Sequence, residues 1–168
     1  MKQLTLALAL GAALLSSCSQ NDFTEAATGK TSVNFSINGQ STITRSATTA
    51  GTDGTYTTNF VANDEIGIFA SGASTAANVK YTVGSDGVGI TGENITINKE
   101  GEANFLSYAP YSAAAEANKV THNVAVDQQN EDSYNASNFM TAKAENITAA
   151  NPNVAFTFAP RLALVRVE

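Results

Sequence analysis

Residues 31–39, TSVNFSING, alternate apolar and polar side chains and decide the fold class of this chain. Val33, Phe35 and Ile37 fall on one face of an extended chain, because successive side chains of a β-strand point to opposite faces. The Asn38-Gly39 pair that follows is a turn signal. The stretch therefore predicts a strand that buries one face and exposes the other.

Similar short segments recur along the chain at a spacing of roughly ten residues, which is typical of an all-β sandwich or barrel. The predicted strands cover residues 33–37, 66–70, 79–83, 95–97, 105–110, 154–158 and 162–167. Residues 120–126, if extended, place Val120, His122, Val124 and Val126 on one face, and Phe139-Met140 gives a weaker signal. We therefore expect an all-β sandwich domain over residues 31–168.

Two stretches lack this alternation and predict loops. Residues 40–58 are rich in Thr, Ser, Gly and Ala, and so predict a long exposed loop. The alanines of residues 112–118, SAAAEAN, favour a helix, but a segment this short does not form one alone. It predicts a loop or a single turn.

The composition excludes several classes of protein. The 168 residues include one cysteine, one histidine and no tryptophan, with a formal net charge of -6. A disulfide scaffold needs paired cysteines, and a structural zinc site needs about four Cys or His ligands. Binding of nucleic acid through phosphate contacts needs a basic cluster, which the sequence lacks. We expect no metal, no cofactor and no nucleic-acid partner.

The N-terminus carries an export signal. Lys2 precedes an apolar run over residues 4–15, and residues 15–18, Leu-Ser-Ser-Cys, form a lipobox that resembles the bacterial lipoprotein signal. The resemblance implies cleavage between Ser17 and Cys18 and acylation of Cys18, and two or more acyl chains give stable membrane anchoring. Residues 1–17 are then the signal peptide and residues 18–30 a polar tether. The alternative is a chance cysteine beside an ordinary export cleavage site.

No catalytic constellation stands out. His122 is the sole imidazole, and its place in an apolar alternation favours a packed or surface strand histidine. Paired carboxylates occur at Asp64-Glu65, at Glu100 with Glu102 and at Glu131-Asp132, each in a turn-like stretch where solvated acids are common. Residues 127–132, DQQNED, lack the spaced pattern of a calcium loop. We expect that the chain is not an enzyme.

The order of these segments resembles the fimbrillin family of Bacteroidetes, the lipoprotein-precursor subunits of type V pili. The resemblance rests on landmarks in sequence rather than on one motif. They are the lipobox ending at Cys18, the strand at 33–37 followed by Thr44-Arg45-Ser46, and the segments 60–69 (FVANDEIGIF), 105–111 (FLSYAPY), 126–129 (VDQQ), 154–158 (VAFTF) and 162–167 (LALVRV).

The resemblance implies a fold, a location and a mode of assembly. Family members have two transthyretin-like, Greek-key β-sandwich domains, so this sequence is expected to cover the N-terminal domain and to lack the second. They are exported to the outer membrane and cell surface as lipoproteins, and build fimbriae that adhere to host or bacterial surface ligands. A protease cuts after a basic residue of the first loop, and a donor strand from the next subunit fills the groove that is left. Here Arg45 is the candidate cleavage position, and Val33, Phe35 and Ile37 form the candidate displaced strand.

The sequence is compatible with three alternatives. Arg45 is equally well read as an ordinary loop arginine. A glycan-binding surface lipoprotein would stack sugars on aromatic side chains, here Tyr56, Tyr108, Tyr111 and Tyr134. A hydrolase would depend on His122 or on one of the carboxylate pairs.

Overall fold

The computed structural model of the chain describes residues 29–38, 47–50 and 56–162. The described part is built mainly of short strands. In chain order these are β1 (Lys30–Ser32), β2 (Asn34–Ile37), β3 (Ala47–Ala50), β4 (Tyr56–Asn59), β5 (Glu65–Gly72), β6 (Ala76–Val83), β7 (Ile90–Gly92), β8 (Thr96–Asn98), β9 (Ala103–Ala109), β10 (Met140–Ile147), β11 (Asn153–Phe156) and β12 (Ala159–Pro160), with the helix α1 (Glu131–Ala136) between β9 and β10. The prediction of an all-β sandwich is confirmed.

One layer of the sandwich is a six-stranded sheet in the order β12-β10-β9-β5-β6-β7, in which all neighbours are antiparallel. Alternate residues of its central strands point inward, with Ile66 and Ile68 from β5 and Phe105 from β9 almost fully buried. Burial of such side chains contributes about 1.5–3 kcal/mol each and is the main stabilising term of the fold.

Two strand pairs cover the inner face of this sheet. The first is the antiparallel pair of β1 and β8, and the second is the parallel pair of β2 and β11. Together with Val33, which lies between β1 and β2, they supply Phe35, Ile37, Ile97, Val154 and Phe156 to the same buried cluster. The alternation that predicted a half-buried strand at residues 33–37 is thus realised, since Asn34 and Asn38 on the other face are exposed.

The outer face of the sheet is also covered, around a contact between Gly67 and Tyr108. These residues are directly opposed in the register of β5 and β9, so that the Tyr108 ring lies over the glycine. The ring is fully buried, together with Phe69 and Ala115. Its hydroxyl donates to Asn78 Oδ1 at 2.7 Å. The motifs at 60–69 and 105–111 are therefore two halves of one packing unit.

Two buried tyrosines make the stability of the fold depend on pH. Burial raises the pKa of both Tyr81 and Tyr108, against smaller lowering effects of hydrogen bonds at their hydroxyl groups. An unfolded tyrosine ionises near pH 10, so the stability held by these groups is fully present below that pH and is lost as the pH rises through their folded pKa values.

We therefore expect the free energy of unfolding to fall as the pH is raised above about 10, and to fall less in the double variant Tyr81→Phe/Tyr108→Phe. Urea unfolding at intervals between about pH 8 and 11 measures both slopes. The double variant is less stable at neutral pH, because the Tyr81 hydroxyl donates to the Glu93 carbonyl at 2.6 Å. Only the slope with pH therefore tests the prediction, and identical slopes would contradict it.

Residues 40–58 are not simply a loop. β3 and β4 pair with each other as an antiparallel hairpin, from Ala47 opposite Asn59 to Ala50 opposite Tyr56. Threonine, which is frequent here, has a high strand propensity. The loop prediction was wrong for these strands. Strands were recognised in the sequence by apolar alternation, and a separate two-stranded hairpin need not have one.

Residues 120–126 do not form a strand, so the condition for placing their four alternate side chains on one strand face is not met. These residues belong to an irregular connection between β9 and β10 that also contains α1. Val126 is fully exposed and Val124 is 46% exposed, so their alternation does not mark a buried face. Residues 112–118 do form a turn, as predicted, with Glu116 bridged to Lys119.

Three further boundaries differ from the sequence interpretation. Lys30, placed in the tether, begins β1. β10 runs from Met140 to Ile147, whereas only its start was indicated. The helix α1 was not predicted, although Asn130 is a good helix N-cap residue, and its side chain accepts from the Ser133 N–H at 2.8 Å. Of the last predicted strand, residues 162–167, only Leu162 lies within the described residues.

Candidate functional site: the N-terminal segment and its flanking strands

The N-terminal segment, residues 30–38, is hydrogen-bonded along both of its edges. On the first edge it lies against residues 88–95, the stretch that contains β7 and ends just before β8. The Val33 N–H donates to the Ile95 carbonyl and the Ile37 N–H to the Val88 carbonyl, both at 2.9 Å. β1 continues this edge by pairing with β8 itself.

The second edge of the segment pairs with β11. The Asn34 N–H donates to the Pro152 carbonyl at 2.9 Å, and the Asn38 N–H donates to the Phe156 carbonyl at 2.8 Å. Because successive N–H groups of a strand point to opposite edges, both ladders form at once. The segment is therefore an inserted central strand of its layer rather than an edge strand.

The inward face of the segment is part of the main core. Val33, Phe35 and Ile37 are 6%, 9% and 3% exposed. The Phe35 ring stands edge-on to Tyr81 and to Phe105, at centroid distances of 5.4 and 5.1 Å. It lies parallel to the Phe156 ring at 5.7 Å. Such aromatic pairs add about 0.5–1.5 kcal/mol each beyond area burial.

The outward face of the segment makes side-chain hydrogen bonds to β11 and to the chain that follows it. Asn34 Nδ2 donates to Asn153 Oδ1 at 3.1 Å, and Asn38 Nδ2 donates to Thr157 Oγ1 at 3.3 Å. These contacts are exposed, so they contribute little to stability. The two side-chain bonds agree with the register of the backbone hydrogen bonds between the segment and β11.

The other predicted site residues lie elsewhere. Ser17, Cys18 and Arg45 fall outside the described residues. Tyr108, a candidate for stacking on sugars, is fully buried and cannot offer its ring to a ligand. Tyr111 and Tyr134 are half-buried and lie on different parts of the β9–β10 connection.

His122 has a structural environment. Its ring lies nearly parallel to the Phe139 ring at a centroid distance of 5.1 Å. Its Nε2 lies 2.9 Å from the Ser137 carbonyl oxygen. The expectation of a packed histidine is met, although on an irregular connection and not on a strand. A histidine whose ring nitrogen is held by a carbonyl stabilises that connection.

Two of the acidic side chains, Asp64 and Asp86, accept hydrogen bonds from backbone N–H groups in turns. Asp64 Oδ2 accepts from the Val61 N–H at 3.0 Å. The backbone N–H groups of Val88 and Gly89 hold the pKa of the Asp86 carboxyl below its usual range. Across residues 29–38, 47–50 and 56–162, no three His, Cys, Asp or Glu side chains come close enough together to bind a metal ion. The same residues contain no helix with the length and hydropathy needed to cross a bilayer.

The sequence profile of the family described as fimbrillin-like matches residues 44–168, which is well over half of the chain. The chain belongs to the fimbrillin-like family. This is a family of structural proteins, which agrees with the expectation that the chain is not an enzyme. No curated protein sequence is significantly similar to this fimbrillin-like chain.

Two solved structures share its fold. A candidate cell adhesion protein from Bacteroides uniformis superposes with a TM-score of 0.54 at 24% identity, over 79% of this chain and 48% of its own. A fimbrial protein from Bacteroides ovatus superposes with a TM-score of 0.51 at 20% identity, over 80% of this chain and 29% of its own. The fimbrillin-like chain thus spans about half of the first protein and under a third of the second.

Proposed function

We propose that the chain is a structural subunit of a surface fimbrium, assembled by donor-strand exchange, in which the N-terminal segment is the strand that is displaced. Family membership supports the fimbrial role. The exchange is supported by one observation above all, namely that the segment is hydrogen-bonded on both edges while its inward side chains complete the core.

Removal of such a strand leaves a specific vacancy. Two strand edges with free N–H and C=O groups would face each other, with a row of apolar sites between them. Unpaired edges and exposed apolar surface both favour capture of an extended segment from another chain. An edge strand at the rim of the sheet would leave only one free edge and a weaker site.

Arg45 is proposed as the position at which the segment is released. It lies seven residues after Asn38, the last described residue of the segment, and two residues before β3. Cleavage there separates the segment from the hairpin β3–β4 without cutting any described strand. The remaining chain then begins immediately before that hairpin.

We further propose that Cys18 carries the lipid that anchors the precursor at the outer membrane, where the fimbrium is built. The lipobox at residues 15–18 supports this placement. The tether that follows allows the domain to stand clear of the membrane surface. A fimbrium attached in this way would present the chain, or its partners, to host or bacterial surface ligands.

The test uses the three arginines of the sequence, Arg45, Arg161 and Arg166. In a chain carrying Arg161→Lys and Arg166→Lys, an arginine-specific protease is expected to cut after Arg45 and to leave the segment bound. A fluorescent peptide of residues 30–38 is then added in excess, and gel filtration with mass spectrometry follows its incorporation.

Incorporation is expected only after cleavage, so the same chain with Arg45→Ala is the control. The peptide should enter the cut chain and remain bound through gel filtration. A cut chain that never takes up the peptide, even at high molar excess, would overturn donor-strand exchange. Absence of any cut at Arg45 would overturn its role as the release point.

A further inference from the structure

We infer that the groove around the N-terminal segment selects its strand by one central aromatic side chain flanked by two aliphatic ones. The partner is an extended segment of another chain, running parallel to β11, with the pattern aliphatic–Asn–Phe–small polar–aliphatic–Asn. This inference rests on the proposed strand exchange and names the class of strand that the groove accepts.

Phe35 occupies the central site of the groove, and that site is aromatic. Three rings from three different strands, Tyr81, Phe105 and Phe156, surround it at centroid distances of 5.1–5.7 Å. β6, β9 and β11 thus build one aromatic site at the middle of the groove. Val33 and Ile37 lie on either side of Phe35 in the same buried cluster, and both are aliphatic.

Alternation alone would not fix the register of an incoming strand. A slip by one residue turns the apolar face outward and is excluded. A slip by two residues keeps the same face inward, but it moves the ring by about 7 Å along the groove, since a strand rises about 3.4 Å per residue. The ring would then leave its position among Tyr81, Phe105 and Phe156 and enter a site that now holds valine or isoleucine.

The hydrogen bonds of the outward face fit the same register. Asn34 is bonded to Asn153, and Asn38 to Thr157, four residues further along each chain. On the opposite edge, Asn94 Nδ2 donates to Ser32 Oγ at 3.1 Å. A strand shifted by two residues would meet different partners at all three positions.

The experiment compares two peptides of identical composition on the cleaved chain described above. The first is KTSVNFSIN, which is residues 30–38, and the second is KTSFNVSIN, in which Val33 and Phe35 are exchanged. Both keep the alternation, the net charge and the polar face, and the acceptor is the same protein in both arms. Competition between them for the labelled segment measures their relative affinity.

The exchanged peptide is expected to bind at least tenfold more weakly. A peptide with Phe35→Leu, which keeps the order but loses the ring, should lie between the two. Equal affinity of the two peptides of identical composition would overturn the inference while leaving strand exchange intact. Failure of KTSVNFSIN itself to bind would instead count against the proposed function, so the two failures are distinguishable.

Discussion

Replacement of Phe35 by alanine is expected to lower the free energy of unfolding by about 4 kcal/mol, since truncation of a buried phenylalanine typically costs 3–5 kcal/mol. The side chain is 9% exposed and contacts rings from three other strands. No single neighbour can move to fill the space, because each belongs to a different strand held by its own ladder.

Urea unfolding followed by circular dichroism gives the measurement, and two variants serve as controls. Phe35→Leu keeps most of the volume and should lose much less stability, while Asn34→Ala alters an exposed neighbour on the same strand and should change little. A loss below about 1 kcal/mol for Phe35→Ala would contradict the aromatic site described for this residue.

Amide hydrogen exchange adds a second readout for the same variant. The N–H groups of Val33 and Ile37 donate to the Ile95 and Val88 carbonyls. If the N-terminal segment opens separately from the rest, these amides will exchange faster in Phe35→Ala, while those of β5 and β9 keep their protection. Uniform loss of protection would show that the segment leaves only on global unfolding.

Replacement of Gly67 by alanine is expected to destabilise the fold by about 3 kcal/mol, near the upper end of the usual cost of overpacking a core. A Cβ atom at this position would lie 2.2 Å from Cε1 and 2.5 Å from Cζ of Tyr108. The ring cannot swing away, because its hydroxyl is hydrogen-bonded to Asn78 and to the backbone of Ser112.

Gly89→Ala is the matched control for this change. A Cβ at Gly89 would approach no atom closer than 3.4 Å, which is ordinary van der Waals contact. Its cost in stability should therefore be small. If Gly67→Ala were as mild as Gly89→Ala, the packing of Tyr108 on the glycine would be wrong.

A double-mutant cycle tests whether the clash with the Tyr108 ring causes the loss of stability in Gly67→Ala. In a chain that already carries Tyr108→Ala, the added Gly67→Ala substitution should cost far less, because the clashing ring is gone. Additive effects of the two substitutions would mean that Gly67 is required for another reason.

The part of the fold that sequence could predict is the part whose side chains enter the core. Residues 33–37 and 154–158 alternate because one face of each segment is buried, and the strands β2 and β11 lie there. Residues 66–69 read as a continuous apolar run because both faces of β5 are covered. In these segments the apolar positions of the sequence are the buried positions of the structure.

The segments that sequence missed follow other rules. β3 and β4 form a hairpin of their own, and their residues show no apolar period to detect. Residues 120–126 do show a period, but only Val120 and His122 on that face are packed, while Val124 and Val126 are exposed, so the pattern does not correspond to a buried strand face. The position of Phe35 among three rings was also beyond sequence, since it depends on strands up to 121 residues away in the chain (156 minus 35).

The parallel pairing of β2 with β11 has a consequence for the order of folding. Asn34 and Asn153, which are opposed in this pair, are separated by 119 residues of sequence. β2 therefore cannot be paired with β11 until nearly all of the described chain has followed it, and closing so long a loop delays the contact. During that interval Val33, Phe35 and Ile37 are exposed to water and to other chains, and such exposure invites aggregation or the help of a chaperone.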